Sequence, residues 1–314
     1  FFRASAPSVF SGQRPAPNTV KRKKGDFTMR SALKKAYNPF FLIPAAAIYL
    51  IFFVLPVLMG FILAFTDWNS YTTELHFVGL HNFVEAFNHR VIKVAIRNTL
   101  IFAIISTLGK NIIGLMLAIF FNEKFRLRNY ARTIFYVPSI LSSVAIGLMF
   151  TSILHPSGLL NTALKAIGLD FLAHDWLVEP GMGIISVAFV EIWQWAGYHM
   201  TIFLAGLQAI SSDYYEAARI DGAGWWTSLR RITIPLLMPA FSVNIVLSLI
   251  GGFKVFGPVY VLTGGGPGYS TQVVSTFVFK AFGEGNWALG NAANMILFIV
   301  IAIISMTVLR YHRK

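Results

Sequence analysis

Six apolar runs, each long enough to cross a bilayer, constrain this chain more than any other feature: approximately residues 40–65, 98–121, 133–154, 183–210, 236–262 and 289–309. About 20 apolar residues cross a hydrocarbon layer as an α-helix, which satisfies its own backbone N–H and C=O groups where water cannot. The composition agrees. Of 314 residues, 56% are hydrophobic and 12% charged, whereas roughly a quarter of a soluble domain is charged. Too little polar surface remains to cover a water-soluble globule. The expected fold is an all-α membrane protein, with one bundle of six transmembrane helices over 40–314. Pro44, Pro56 and Pro138 fall inside these runs, where neighbouring helices can satisfy the carbonyls they free.

A net charge of +13 would suit nucleic acid if the basic residues lined one face. They sit instead in the short segments between runs, the pattern of membrane topology and not of a phosphate-binding groove. With the N-terminus inside, segments 1–39, 122–132, 211–235 and 310–314 hold 19 Lys and Arg, against five in 66–97, 155–182 and 263–288. The positive-inside rule therefore predicts cytoplasmic N- and C-termini. Counting from Met29 leaves 13 against five and the same orientation. Residues 1–28, rich in Pro, Ser and basic residues, read as a disordered or mis-assigned extension, with an Arg-rich transit peptide as the rival reading. Residues 29–39 read as a cytoplasmic N-terminal segment. On the opposite side, Phe77, Leu80, Phe83, Val84 and Phe87 recur at helical spacing within 76–87. They suit a helix lying on the membrane surface or a short connector packed on the bundle.

The segment 211–239 reads SSDYYEAARIDGAGWWTSLRRITIPLLMP. Asp213 followed by Glu216 predicts a capping box with Asp in place of Ser or Thr. Gly222 can take positive φ and end that first short helix. A second helix is predicted from about Trp225 to Arg231, with Pro235 and Pro239 bending the chain into the next run. Such a helix–turn–helix is either a plain connector or a docking element, since the small Ala217 and Ala218 between Glu216 and Arg219 let another surface approach closely.

Three ionisable residues fall inside runs, Lys110, Glu191 and Lys254, where a charge is costly enough to need a partner or a function. Glu191, Trp195 and Tyr198 stand at i, i+4 and i+7, placing a carboxylate, an indole and a phenol on one helix face. Aromatic faces stack on the C–H faces of a sugar ring, while Glu191 and Gln194 can bond its hydroxyls. Aromatic packing with a Glu–Lys pair that only holds helices together fits the same residues.

Several catalytic signatures are missing. There is no cysteine, hence no disulfide, thiolate metal site or Cys nucleophile. Gly109-Lys110-Asn111 lacks the upstream Gly and the hydroxyl of a phosphate-binding loop, so the chain is not expected to hydrolyse ATP. Neither His-Glu-x-x-His nor Gly-x-Ser-x-Gly occurs, and the seven His are scattered without metal-ligand spacing. No cofactor is expected, and no enzymatic activity.

Glu216-Ala217-Ala218, Gly222 six residues after the Glu, Ile232, Pro235 and Pro239 resemble the EAA loop of permease subunits of binding-protein-dependent ABC importers. Asn38 to Asn69, FVGLHNF at 77–83, RNTL at 97–100 and LTGGGP at 262–267 are similar to the carbohydrate branch, whose members take maltose-type oligosaccharides, other sugars or glycerol phosphate. The resemblance runs from about Tyr37 to near the C-terminus. It implies that Glu216, Ala217, Ala218, Arg219, Asp221, Gly222 and Pro235 couple to a dimer of separate ATP-binding subunits. It also implies a second permease subunit, an extracytoplasmic solute-binding protein and sugar import by alternating access. It places the substrate path at Glu191, Trp193, Gln194, Trp195, Tyr198, Ser248, Gly251 and Gly252, with Lys254 the nearest partner for Glu191. The large extracytoplasmic insertion of the maltose permease is missing here. Gly251-Gly252 stand where relatives have an aromatic and an amide, so this pocket differs. Trp193 and Tyr198 are about 140° apart on an ideal helix, so either the helix is irregular near Gly197 or only one of them faces the path. Rival functions are a permease for a non-sugar solute such as glycerol phosphate, an ion-coupled transporter using Glu191 and Lys110, and an intramembrane enzyme.

Overall fold

The computed structural model describes residues 40, 42–72, 74–123, 125–179 and 181–312; the expectations for 1–39 lie outside the described residues. The chain divides into two units, Phe1–Val57 and Leu58–Lys314. Regular structure among the described residues is helical, apart from one isolated bridge between Thr66 and Phe77. In chain order the helices are α1 (Leu42–Leu63), α2 (His81–Asn88), α3 (Arg90–Asn122), α4 (Arg128–Ile140), α5 (Ser143–Ile153), α6 (Leu159–Ala166) and α7 (Met182–Gln208). There follow α8 (Ser212–Ile220), α9 (225–236), α10 (Met238–Phe253), α11 (Gly257–Leu262), α12 (Val274–Gly283) and α13 (Trp287–His312).

The 33-residue α3 shows what solvent this fold needs. Ile104, Leu108, Ile112, Met116 and Phe120 recur every fourth residue and are all exposed. On the opposite face Asn98, Thr99, Ser106, Thr107, Lys110 and Asn111 are buried. An apolar stripe outside and a polar one inside is unfavourable in water and is the arrangement expected in lipid, where interhelical polar contacts and small residues hold a bundle together. α7 packs along α3, and α10 packs against α3 on another side. Ala103 and Ala118 of α3 and Ala188 and Ala196 of α7, all buried, let these helices approach closely. Toward one end of α3 and α7 the core gathers Phe102, Val187, Ala188 and Val259; toward the other, Phe121, Met200, Phe203 and Leu237.

Among the described residues, four helical stretches are long and apolar enough to cross a membrane: α1, α3, Met238–Leu262 and Trp287–Arg310. A fifth results if α4 and α5 count as one span. α7 is not among them. Its 27 residues reach about 40 Å, but Glu191, Gln194 and His199 interrupt its apolar character.

The structure corrects the expected runs at several points. The run at 98–121 extends back to Arg90. The run at 133–154 is not one helix, because α4 and α5 meet at 98°. Pro138 tightens the end of α4 into a 3₁₀ turn, Leu141 turns extended, and the Ser142 hydroxyl caps α5 by accepting from the Val144 N–H. The run at 236–262 is interrupted after Phe253, with Lys254 to Phe256 non-helical. Pro258 opens α11, where its missing N–H costs nothing. Two further prolines leave π turns just ahead of them, Leu50–Val54 before Pro56 and Leu229–Thr233 before Pro235. A proline ring crowds the carbonyl four residues back, and the wider turn relieves it. The apolar stretch at 76–87 is helical only from His81, and its Phe77, Leu80, Val84 and Phe87 are exposed.

Candidate functional site

Two broken helices meet the polar middle of α7. At the first break, Gln194 Nε2 donates to the Leu141 carbonyl at 3.2 Å and lies near the Ser143 hydroxyl. It thereby satisfies an acceptor that the broken helix leaves free. One turn on, Gly197 lets the α4 backbone at Phe135 and Tyr136 lie directly against α7; a Cβ there would overlap the Phe135 carbonyl. α7 is regular through this point. Gly197 therefore marks a close approach and not a kink.

Three polar contacts tie α3, α7 and α10 to one another. Lys110 Nζ and Glu191 Oε1 form an ion pair at 2.8 Å, with the residues only 2% and 6% exposed. Asn111 Nδ2 donates to Ser248 Oγ at 2.9 Å, and His199 Nδ1 lies 2.7 Å from Asn244 Oδ1. The partner of Glu191 is thus Lys110 and not Lys254, because the α3–α7 packing brings Lys110 to it. The Lys254 ammonium makes no ion pair or hydrogen bond among the described residues.

Beside this polar set lies a cavity of about 470 Å³. α3 contributes Lys110, α5 Ser143, and α7 Glu191, Trp195, Tyr198 and His199. α10 contributes Leu247, Ile250 and Gly251, and the second break and the start of α11 supply Lys254 to Pro258. Trp195 and Tyr198 meet edge to face, ring centroids 5.8 Å apart. The cavity therefore offers two aromatic surfaces beside a paired carboxylate, a hydroxyl and an ammonium. That donor and acceptor set suits a ligand of alternating C–H faces and hydroxyls.

Of the residues expected along the path, Glu191, Trp195, Tyr198, Gly251 and Lys254 line this cavity, and four do not. Trp193 points the other way, 45% exposed and packed edge-on against Phe150 at 5.1 Å. Gln194 is spent on the α4–α5 break, Ser248 on Asn111, and Gly252 packs against Ala103 and Ser106. Lys110, Ser143, His199 and the stretch 255–258 join the site without having been assigned to it. Lys110 carried a signal, being an ion inside a run, and Gly257-Pro258 carried another as a helix breaker; Ser143 and His199 carried none.

A second surface forms where the chain leaves α7. The cap of α8 is Ser211, whose hydroxyl accepts from the Asp213 N–H, and not Asp213 itself. Ser211 has the extended backbone a cap requires, whereas Asp213 already lies inside the helix. The Ala223 N–H bonds the Ala218 carbonyl and the Gly222 N–H bonds the Arg219 carbonyl, the two bonds of a Schellman motif. Gly222 sits at φ +75° with open space around it. Tyr215 and Thr233 join α8 to α9 through their hydroxyls at 3.0 Å. α9 runs past the expected end at Arg231 to residue 236, so Pro235 lies within it. Glu216, Ala217, Arg219, Asp221, Gly222 and Pro235 are exposed while Ala218 is buried. Beside them Ile220 is 87% exposed, and Trp225 and Trp226 stand out from the surface.

Residues 110–312 match the family described as "Binding-protein-dependent transport system inner membrane component". The chain belongs to this family. It is a helical, multi-pass permease of the inner membrane. A probable ABC transporter permease protein, YurN, of Bacillus subtilis is 36% identical over 277 residues, covering 87% of this chain and 94% of its own. The trehalose/maltose transport system permease protein MalF of Thermococcus litoralis is 31% identical, covering 87% and 92%. Among solved structures, a bacterial alginate ABC transporter in complex with an alginate pentasaccharide-bound periplasmic protein contains a similar chain. That chain superposes with a TM-score of 0.75 at 29% identity, covering 90% of this chain and 94% of its own.

Proposed function

We propose that this permease carries a sugar across the cytoplasmic membrane by alternating access, powered by separate ATP-binding subunits. The observation that carries this reading is the cavity in which Trp195 and Tyr198 stand beside the buried Lys110–Glu191 pair. It lies where α4–α5 and α10–α11 are broken, and irregular backbone at membrane depth is tolerated only where it is buried in protein or lines a hydrated space. The sugars named for the relatives, trehalose/maltose and alginate, support the substrate class.

In this reading residues 40–314 form one domain of six spans: α1, α3, the bent α4–α5 pair, α7, α10 with α11, and α13. Residues 1–28 are an extension and 29–39 a cytoplasmic lead-in. The bias of 19 basic residues against five supports cytoplasmic N- and C-termini. The loop 211–235 then faces the cytoplasm, where exposed Glu216, Arg219, Ile220, Trp225 and Trp226 offer a docking surface for an ATP-binding subunit. Closure of two such subunits, felt through α8 and α9, opens the cavity outward to accept sugar from an extracytoplasmic binding protein. A second permease subunit completes the path.

The test is uptake of labelled maltose and alginate oligosaccharides by proteoliposomes carrying the purified complex. Uptake should need ATP and the binding protein and survive ionophores that collapse proton and sodium gradients. Uptake that follows the gradient and ignores ATP would instead establish an ion-coupled transporter.

A further inference from the structure

Besides the Tyr198 phenol, the ionisable groups lining the cavity are Lys110, Glu191, His199 and Lys254. Lys110 and Glu191 neutralise each other at 2.8 Å, and His199 is engaged by Asn244. Lys254 remains, exposed where α10 ends and without an ion-pair partner among the described residues. In the six-span reading this position falls within the fifth span, where a cation is costly and marks a functional position by default. An ammonium group has three donors and no acceptor. Toward a neutral hydroxyl its hydrogen bond is assisted by the ammonium charge alone, whereas toward a carboxylate or phosphate both partners are ionised and a direct attraction between opposite charges is added. The aromatic pair Trp195 and Tyr198 lines the same cavity, so one ligand can stack its ring on them and present its charge to Lys254.

We infer that the saccharide accepted here carries an anionic group, a carboxylate or a phosphate, and that Lys254 selects for it. This rests on the sugar-permease reading and narrows it, since the names of the relatives do not decide the charge of the sugar. Lys254 acts as a point charge, so either anion satisfies it, and the ligand's own geometry decides between them.

Equilibrium binding to the complete detergent-solubilised complex, without binding protein, tests the inference. Digalacturonate is compared with its dimethyl ester, and maltose 1-phosphate with maltose, so each pair differs mainly in charge. The acidic member of at least one pair should bind about tenfold or more tightly, and the preference should shrink as salt screens it; the pair that shows it names the anion. Lys254→Met should bring the two members within about twofold of each other, while Lys254→Arg should keep the preference. Should Lys254→Met fail to assemble, Lys254→Gln and the salt dependence of the unaltered complex carry the test. Equal binding of charged and neutral members in the unaltered complex would overturn the inference. So would a preference that Lys254→Met leaves intact, the result expected if Lys254 pairs with an acidic residue of the second permease subunit. Failure of every saccharide, charged or neutral, to bind or to be taken up would instead remove the sugar reading itself.

Discussion

Lys110 and Glu191 each keep the other tolerable inside the bundle. Removing one leaves a buried, unpaired charge, which costs about 3–5 kcal/mol, whereas replacing both with apolar residues of similar size is often close to neutral. Glu191→Met and Lys110→Met should each lower the thermal unfolding midpoint of the solubilised complex, and the double variant should recover most of the loss. Midpoints that fall additively in the double variant would mean that the pair is not the coupled unit its 2.8 Å contact indicates. Gly197 makes a different kind of demand, because the α4 backbone occupies the space its side chain would need. Gly197→Ala should cost about 1–3 kcal/mol through overpacking, read in the same unfolding assay. A neutral Gly197→Ala would mean that α4 does not rest against α7. The ion pair was half legible in the sequence: both ions were visible inside apolar runs, but spacing along a chain does not reveal which helices become neighbours. Trp193 and Trp195 stand about 160° apart around a helix, so the sequence puts them on opposite faces, and the packing of Trp193 against Phe150 shows which of them turns away from the cavity.

The α8–α9 element was legible because local chemistry specifies it. Gly222 ends α8 at φ +75°, a conformation only glycine adopts freely. With open space around it, Gly222→Val should cost about 1 kcal/mol or more in backbone strain alone. If this turn transmits ATPase closure, the variant should assemble but lose most substrate-stimulated ATP hydrolysis; unchanged stimulation would remove the loop from the coupling path. The cap was misplaced by two residues because Ser211 and Asp213 both offer an acceptor, and only the extended backbone of Ser211 settles the choice. The breaks at 141–142 and 254–256 were only half legible: Pro138 and Gly257-Pro258 mark them, but a proline within an apolar run reads equally as a tolerated kink. At the end of α1, the Asp67 carboxylate accepts from the His76 N–H at 2.7 Å and lies 3.0 Å from its imidazole. The backbone bond first, and the imidazole second, hold the Asp67 carboxyl below its ordinary range. Its folded pKa lies below its unfolded one, so the tie contributes above the usual carboxylate pKa of about 4 and is lost as pH falls through the lowered value. Hydrogen exchange at the His76 amide, corrected for intrinsic rate, should speed up only in that acid range; protection that is flat there would mean that Asp67 does not hold the loop.

At the scale of the whole molecule, the apolar runs were legible because a bilayer demands contiguous stretches of about 20 residues. α7 was harder, since its polar middle belongs to the interior of the bundle and not to lipid. Topology is tested by reporter fusions, which should report outside at Ser157 and Gly268 and inside at Asn129 and after Lys314; an outside C-terminus would contradict six crossings from a cytoplasmic start. In the proposed function, sugar passes along the Trp195 and Tyr198 face of α7. The most direct measurement is ATP-dependent uptake by complexes matched for membrane level, comparing Trp195→Ala, Tyr198→Ala and Trp193→Ala. An aromatic platform contributes roughly 0.5–1.5 kcal/mol, which corresponds to about a two- to tenfold change in affinity. Trp195→Ala and Tyr198→Ala should therefore each raise the half-saturating sugar concentration about two- to tenfold, while Trp193→Ala, on the far side of the helix, leaves it unchanged. Unchanged uptake in the first two, or a loss confined to Trp193→Ala, would contradict the account and place the path on another face of α7.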